Sequence, residues 1–270
     1  MNVIRCVIAA LALASATMAS GHNFWLQPES HKVETGDSLQ VDFKIGDVGQ
    51  DADDWGVYWE RVAAIRLYGP NGVTDQQDAL RVSSGAERGR AVIAAAMPGS
   101  YVLGFESNTA FSDLEAVRFN RYVANEGLSA IAAHRAALRL EGANGTELYA
   151  RRAKALIQVG ERRTNNVTQR IGQILEIVPL NNPFALSEEE QLTLQVIWRG
   201  EPLEGAKLHA SPINGSAPPI VVSTSADGVA TVSGPGASAM LYTVVWGVPA
   251  PHDARADYLT FFSSLTVANP

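Results

Sequence analysis

The sequence predicts a mostly β protein: two β-sandwich domains, immunoglobulin-like or transthyretin-like, joined by a short helical segment. Three observations carry this. Short runs rich in Val, Ile, Leu and Tyr, broken by Gly, Pro, Asn and Asp, recur at both ends of the chain. Residues 38–45 (SLQVDFKI) alternate polar and apolar throughout, the period of a half-buried strand. Only residues 119–140, Ala-rich with Tyr122, Leu128, Ile131 and Leu138, approach helical spacing.

The elements follow in order. Residues 1–5 are short and carry one positive charge, residues 6–14 are an unbroken apolar run, and residues 15–21 are small and weakly polar. That order is a secretory signal peptide, expected over residues 1–21. The apolar run is too short to span a bilayer, which takes about 20 apolar residues, and no later run comes close. A periplasmic location follows as the expectation. Small residues at −3 and −1 allow cleavage after Gly21, leaving His22 first, or after Ala19, leaving Ser20-Gly21-His22.

The first β domain is expected over residues 22–110. After residues 38–45 come strands at 62–68, 90–96 and 100–106, with dense turn signals at 69–72 (GPNG) and 97–99 (MPG). A mixed helical connector is expected over 111–170, with Glu126-Gly127 dividing two helices. Residues 147–159 (ELYARRAKALIQV) read equally as helix or strand. The second β domain is expected over 171–270, with strands near 174–178, 191–198, 207–210, 229–233 and 241–246. The turn at 200–206 (GEPLEGA), paired with a later Asp227-Gly228 turn, is common in transthyretin-like sandwiches.

Composition narrows the function. The sole cysteine, Cys6, lies in the expected signal, so a mature chain would have no disulfide and no thiol nucleophile. Net charge is −7 with no basic stripe, which argues against nucleic acid as a partner. There is no Gly-x-Ser-x-Gly, His-Glu-x-x-His or phosphate loop, and the expectation is a protein without catalysis.

The sequence resembles the bacterial DUF4198 proteins, some of which are described as NikM-like components of nickel uptake. The resemblance rests on residues 22–28 (HNFWLQP), 119–122 (FNRY) with 126–128 (EGL), 149–154 (YARRAK), 175–180 (LEIVPL) with Asn182-Pro183, and the turns at 200–206 and 227–228. These occur in the family's order over most of the chain. The resemblance implies a periplasmic protein linked to nickel or cobalt uptake, partnered by a membrane metal transporter or outer-membrane receptor. It also shows a departure: where a histidine commonly follows the strand ending at Ile45-Gly46, this chain has Asp47.

His22 is the sharpest candidate ligand. As a first residue, its amine and imidazole would chelate one metal ion; after Ser20-Gly21, amine, backbone amides and imidazole would form a square-planar site. Both favour Cu(II) or Ni(II). The bland reading is a residue that merely follows a cleavage site. His252 with Asp253 and Asp257 is the candidate partner cluster, against a solvated loop. His31, flanked by Glu29 and Glu34, could contribute, although an exposed loop histidine is commoner. His134 and His209 read as ordinary surface or core residues. Asp47, Asp51, Asp53 and Asp54 form an acidic stretch lacking EF-hand spacing. Trp55, Tyr58 and Trp59 follow it, as a ligand platform or as packing beneath the loop.

Overall fold

A computed structural model describes residues 23–49, 52–84, 88–95, 97–187 and 189–269. The first half holds β1 (Asn23–Pro28), β2 (Lys32–Val33), β3 (Ser38–Gly46), β4 (Asp53–Asp54), β5 (Val62–Gly69), β6 (Gly72–Asp75), β7 (Leu80–Arg81), β8 (Arg90–Ala94), β9 (Gly99–Ser107) and β10 (Ala110–Leu114). Helices α1 (Ala116–Glu126) and α2 (Ser129–Leu138) follow. The second half holds β11 (Gly145–Val159), β12 (Leu175–Pro179), β13 (Gln191–Trp198), β14 (Glu201–Pro202), β15 (Lys207–Pro212), β16 (Ile220–Ser223), β17 (Val229–Ser233), β18 (Met240–Pro249) and β19 (Tyr258–Val267). The fold is mostly β, as the alternating runs require.

A ten-stranded sheet runs β16-β15-β18-β19-β11-β9-β5-β6, with β2 and β10 also on β11. It draws strands from both halves of the chain. The junction is β11, antiparallel to β9 of the first half and parallel to β19, the latter from Glu147 opposite Tyr258 to Ala155 opposite Thr266. Residues 147–159 are therefore strand, and the 111–170 segment supplies the middle of this sheet as well as a helix pair.

Side-chain alternation along β11 and β9 separates two cores. Ala153, Ala155 and Ile157 with Leu103 and Phe105 face the five-stranded sheet of β1, β3, β4, β7 and β8. Leu156 and Val102 face the opposite way, with Leu194 and Val196 of the β12-β13-β14-β17 sheet. Successive strand residues point to opposite faces, so one strand serves two cores. The helices cover the β18–β19 part of the first face, packing Phe119, Tyr122 and Ile131 on Val245 and Tyr258.

The first core is aromatic. Phe24 lies 5.1 Å from Trp55 and 5.3 Å from Phe105, and Phe43 lies 5.2 Å from Phe105, centroid to centroid. Tilted and edge-on contacts at these distances add to the burial of the rings.

Candidate functional site

Where the five-stranded sheet meets β11, a cleft of about 330 Å³ opens. Ile45 and Trp55 form its apolar wall, the 3-10 turn Trp59–Arg61 its lip, residues 107–110 a second edge, and Tyr149 and Arg151 its floor. Local bonds hold these parts together. Asn108 Nδ2 donates to the Glu60 carbonyl at 2.8 Å, and Asn108 N to the Arg61 carbonyl at 3.0 Å. Ser107 Oγ accepts from Arg151 N at 2.9 Å and donates to the Asn108 carbonyl at 2.8 Å.

Two guanidinium groups define the electrostatics. Arg61 lies 5.6 Å from the Trp55 ring centre and 5.0 Å from that of Tyr58. Both are cation–π distances that restrict an otherwise exposed side chain. Arg151 is buried among Phe24, Tyr149 and Phe262, 5.4–5.6 Å from their ring centres. Burial lowers its pKa, opposed by Tyr149, Tyr122 and Glu147.

Behind Arg151, Glu147, Tyr122 and Thr260 form a buried polar group. Burial raises the Glu147 carboxyl, opposed by nearby Thr260, Tyr122 and Arg151. Glu147 Oε2, Tyr122 Oη and Thr260 Oγ1 nevertheless close no hydrogen bond of good geometry among the described residues.

The residues singled out from sequence fall in separate places. His22, Asp51 and the expected signal peptide lie outside the described residues. His31 was expected in an exposed loop, but it is 5 % exposed. Its Nδ1 donates to the Leu156 carbonyl at 2.7 Å, and its own carbonyl accepts from Gln158 N, so it pegs the β1–β2 link to β11. Burial lowers its pKa and favours the neutral ring. His252 and Asp253 are exposed in the β18–β19 turn. Asp257 instead staples that turn to β11, accepting from Thr146 Oγ1 at 2.6 Å and Thr146 N at 3.0 Å. Thr146 and Leu156 are ten residues apart on one strand, about 33 Å at 3.3 Å per residue. His31 and His252 therefore stand toward opposite ends of β11 and do not share an ion.

His134 Nδ1 lies 3.3 Å from the Tyr258 hydroxyl, and His209 Nε2 lies 3.8 Å from Glu126 Oε2. Asp54 is engaged by Lys44 and Arg88, each at 2.7 Å. Of the three aromatics, Trp55 packs in the core, while Tyr58 and Trp59 are 39 % and 55 % exposed. Among the described residues, no three of His, Cys, Asp and Glu form a group that could hold a metal. Sequence reasoning missed the two arginines as a pair. Arg151 was one of three basic residues, with Arg152 and Lys154, in the 147–159 run, and nothing singled it out or linked it to Arg61, 90 positions earlier.

These features define a class: a protein of stacked β-sheets with an arginine- and aromatic-lined cleft at a sheet edge. The chain belongs to the DUF4198 family, a domain of unknown function whose model matches residues 19–245. No curated protein sequence matches it. Among solved structures, it is similar to dimeric latent PorU from Porphyromonas gingivalis, with 10 % identity and a TM-score of 0.19 over 93 % of this chain and 21 % of that one. The D0-D1 domain of intimin matches with 11 % identity and a TM-score of 0.21, over 91 % and 97 %. A Salmonella alpha-2-macroglobulin mutant matches with 9 % identity and a TM-score of 0.22, over 97 % and 16 %. The chain thus spans about a fifth of the PorU chain's length. Among the described residues, no helix is long and apolar enough to cross a membrane.

Proposed function

We propose that the chain is an exported, periplasmic accessory protein that binds a transition metal at its processed N-terminus, for uptake or delivery to a membrane transporter. One observation supports this reading above others. In the β1–β3 ladder, Asn23 faces Gly46 and Phe24 faces Ile45. Asp47 follows directly on Gly46, the β3 residue that faces Asn23 at the start of β1. An N-terminal amine and the His22 imidazole, with a carboxylate such as that of Asp47 as a third donor, would suit one ion. Nickel, copper and cobalt accept such a nitrogen and oxygen set. Where the family resemblance leads one to expect a histidine, this chain departs with Asp47, so any ion held there meets an oxygen donor in place of imidazole.

The test begins with the mature N-terminus, read by mass, followed by titration of that species with Ni, Co and Cu. His22→Ala is expected to weaken one-to-one binding by about tenfold or more. Asp47→His, which replaces oxygen by imidazole, is expected to tighten it. Affinity should fall as pH drops below about 7, because amine and imidazole bind only when deprotonated. Equal affinity of parent and His22→Ala forms would reject the reading.

The exposed Tyr58 and Trp59 at the cleft lip favour a second reading, a metal-free module that captures a protein, peptide or glycan. In that case alanine at Tyr58 and Trp59 would abolish capture, and His22→Ala would leave it unchanged.

A further inference from the structure

We propose that the cleft is a binding site for a small monoanionic organic acid, whose carboxylate is held by Arg61 and Arg151 and whose apolar part lies on Ile45, Trp55 and Tyr149. This is separate from the metal reading and needs neither His22 nor Asp47.

The charges within the lining set the sign of the ligand. Arg61, Arg151 and Glu60 are its ionised side chains, so the cleft carries a net single positive charge. A bare cation would meet two guanidinium groups. A phosphate dianion would overcompensate the site and approach Glu60. A monoanion balances it.

The arginines are suited to the task in different ways. Arg61 is placed by the Trp55 and Tyr58 rings, and the hydrogen bond it makes among the described residues is a long one, 3.5 Å to the Gly56 carbonyl. A guanidinium carries five N–H donors in a planar fork that matches a carboxylate. Most of that capacity remains for a ligand. Arg151 is 9 % exposed, and burial disfavours its charge. Tyr149, Tyr122 and Glu147 already support that charge in part, and an incoming carboxylate would add to them; charge-assisted hydrogen bonds in such a water-poor setting are the strong kind.

Size and walls complete the argument. About 330 Å³ sits at the lower end of small-molecule sites, which run from about 300 to 1,000 Å³. Ile45, Trp55, Ala110 and the Tyr149 ring give an apolar surface, and Glu60, the two arginines and the 107–109 edge supply the polar groups. That is the usual division between an apolar body and a few orienting contacts.

The test uses benzoate as the probe on the full mature protein, with neutral benzamide as the matched control and inorganic phosphate as the competing anion. Binding is followed by calorimetry and saturation-transfer NMR. Benzoate is expected to bind at least about tenfold tighter than benzamide, and to weaken with added salt. Arg61→Gln should lose about tenfold or more, and Arg61→Lys should recover only part, because an ammonium lacks the planar fork. Arg61 is exposed, so these variants should keep the parent's thermal unfolding midpoint; Arg151→Gln, at a buried position, serves as support only if it also folds. Equal binding of benzoate and benzamide, no benzoate binding up to about 10 mM, tighter phosphate binding, or an unaffected Arg61→Gln would each overturn the proposal.

Discussion

Glu126 and His209 show how burial reshapes individual residues. They face each other at 3.8 Å, beside Lys207, whose Nζ donates to the Ala124 and Asn125 carbonyls at 3.0 and 3.1 Å. Burial pushes the Glu126 carboxyl up from 4.5 to about 7, opposed by Lys207. Burial, and secondarily Lys207, pushes the His209 imidazole down from 6.5. The two act on stability with opposite signs. Between pH 4.5 and 7 the folded state holds the Glu126 proton more firmly than the unfolded state, so this contribution to stability is lost as pH rises. Below pH 6.5 the unfolded state protonates the histidine more readily, so that contribution grows as pH rises. Glu126→Gln removes only the first. It should leave stability near the parent's at pH 5 and exceed it at pH 8 by on the order of 3 kcal/mol. Denaturant unfolding at the two pH values checks this; an equal difference at both would contradict burial as the cause. Neither shift was legible in sequence, where His209 read as an ordinary histidine and Glu126 as a helix end.

At the level of elements, local signals and neighbouring layers contributed unequally. The Glu126-Gly127 break was readable because a left-handed residue commonly ends a helix. Gly127 adopts φ of +69°, its N–H donates to the Ala124 carbonyl at 3.3 Å, and the Leu128 N–H donates to the Val123 carbonyl at 3.0 Å. A Cβ there would meet Lys207 side-chain carbons at 3.0 Å. Gly127→Ala should therefore cost about 1 kcal/mol, read as a lowered unfolding midpoint, with backbone strain as the main term because Lys207 can move. β3 was equally legible: it buries one face, so Leu39, Val41 and Phe43 alternate with polar residues. β11 was not. It is covered on both faces, its last seven residues are all buried, and a strand of that kind loses the period of two. β19 escaped notice altogether, since its Ser and Thr residues among the apolar ones give no clean alternation.

Across the whole molecule, β11 joins the two halves by pairing with β9 on one side and β19 on the other, and one buried ion pair ties it to β12. Lys154, on β11, meets Glu176, on β12, at 3.0 Å, and each side chain is 1 % exposed. Glu176 also accepts from Ile171 N at 2.7 Å and Gly172 N at 3.1 Å. Removing one partner strands the other charge without water, a loss of about 3–5 kcal/mol. Glu176→Ala should show that loss in denaturant unfolding, whereas Lys154→Met with Glu176→Gln, which keeps an acceptor for Ile171 N and Gly172 N, should restore most of it. Because the sheet is shared, parent unfolding should follow one transition by both tryptophan fluorescence and far-UV circular dichroism. Separate transitions would indicate that the halves at 22–110 and 171–270 behave as independent domains.

By itself the sequence determined the mostly β character, the placement of nine of the nineteen described strands, the helix pair and the family. Each of these is written in local periodicity, in turn residues or in the order of short motifs. Only the tertiary structure decided that strands from both halves form one sheet, that His31 is a buried peg, and that Arg61 and Arg151 share a cleft. The physical reason is distance along the chain. A cleft assembled from positions 45, 61, 108 and 151 depends on how layers stack, and layer stacking is governed by the fit of faces that no local pattern encodes.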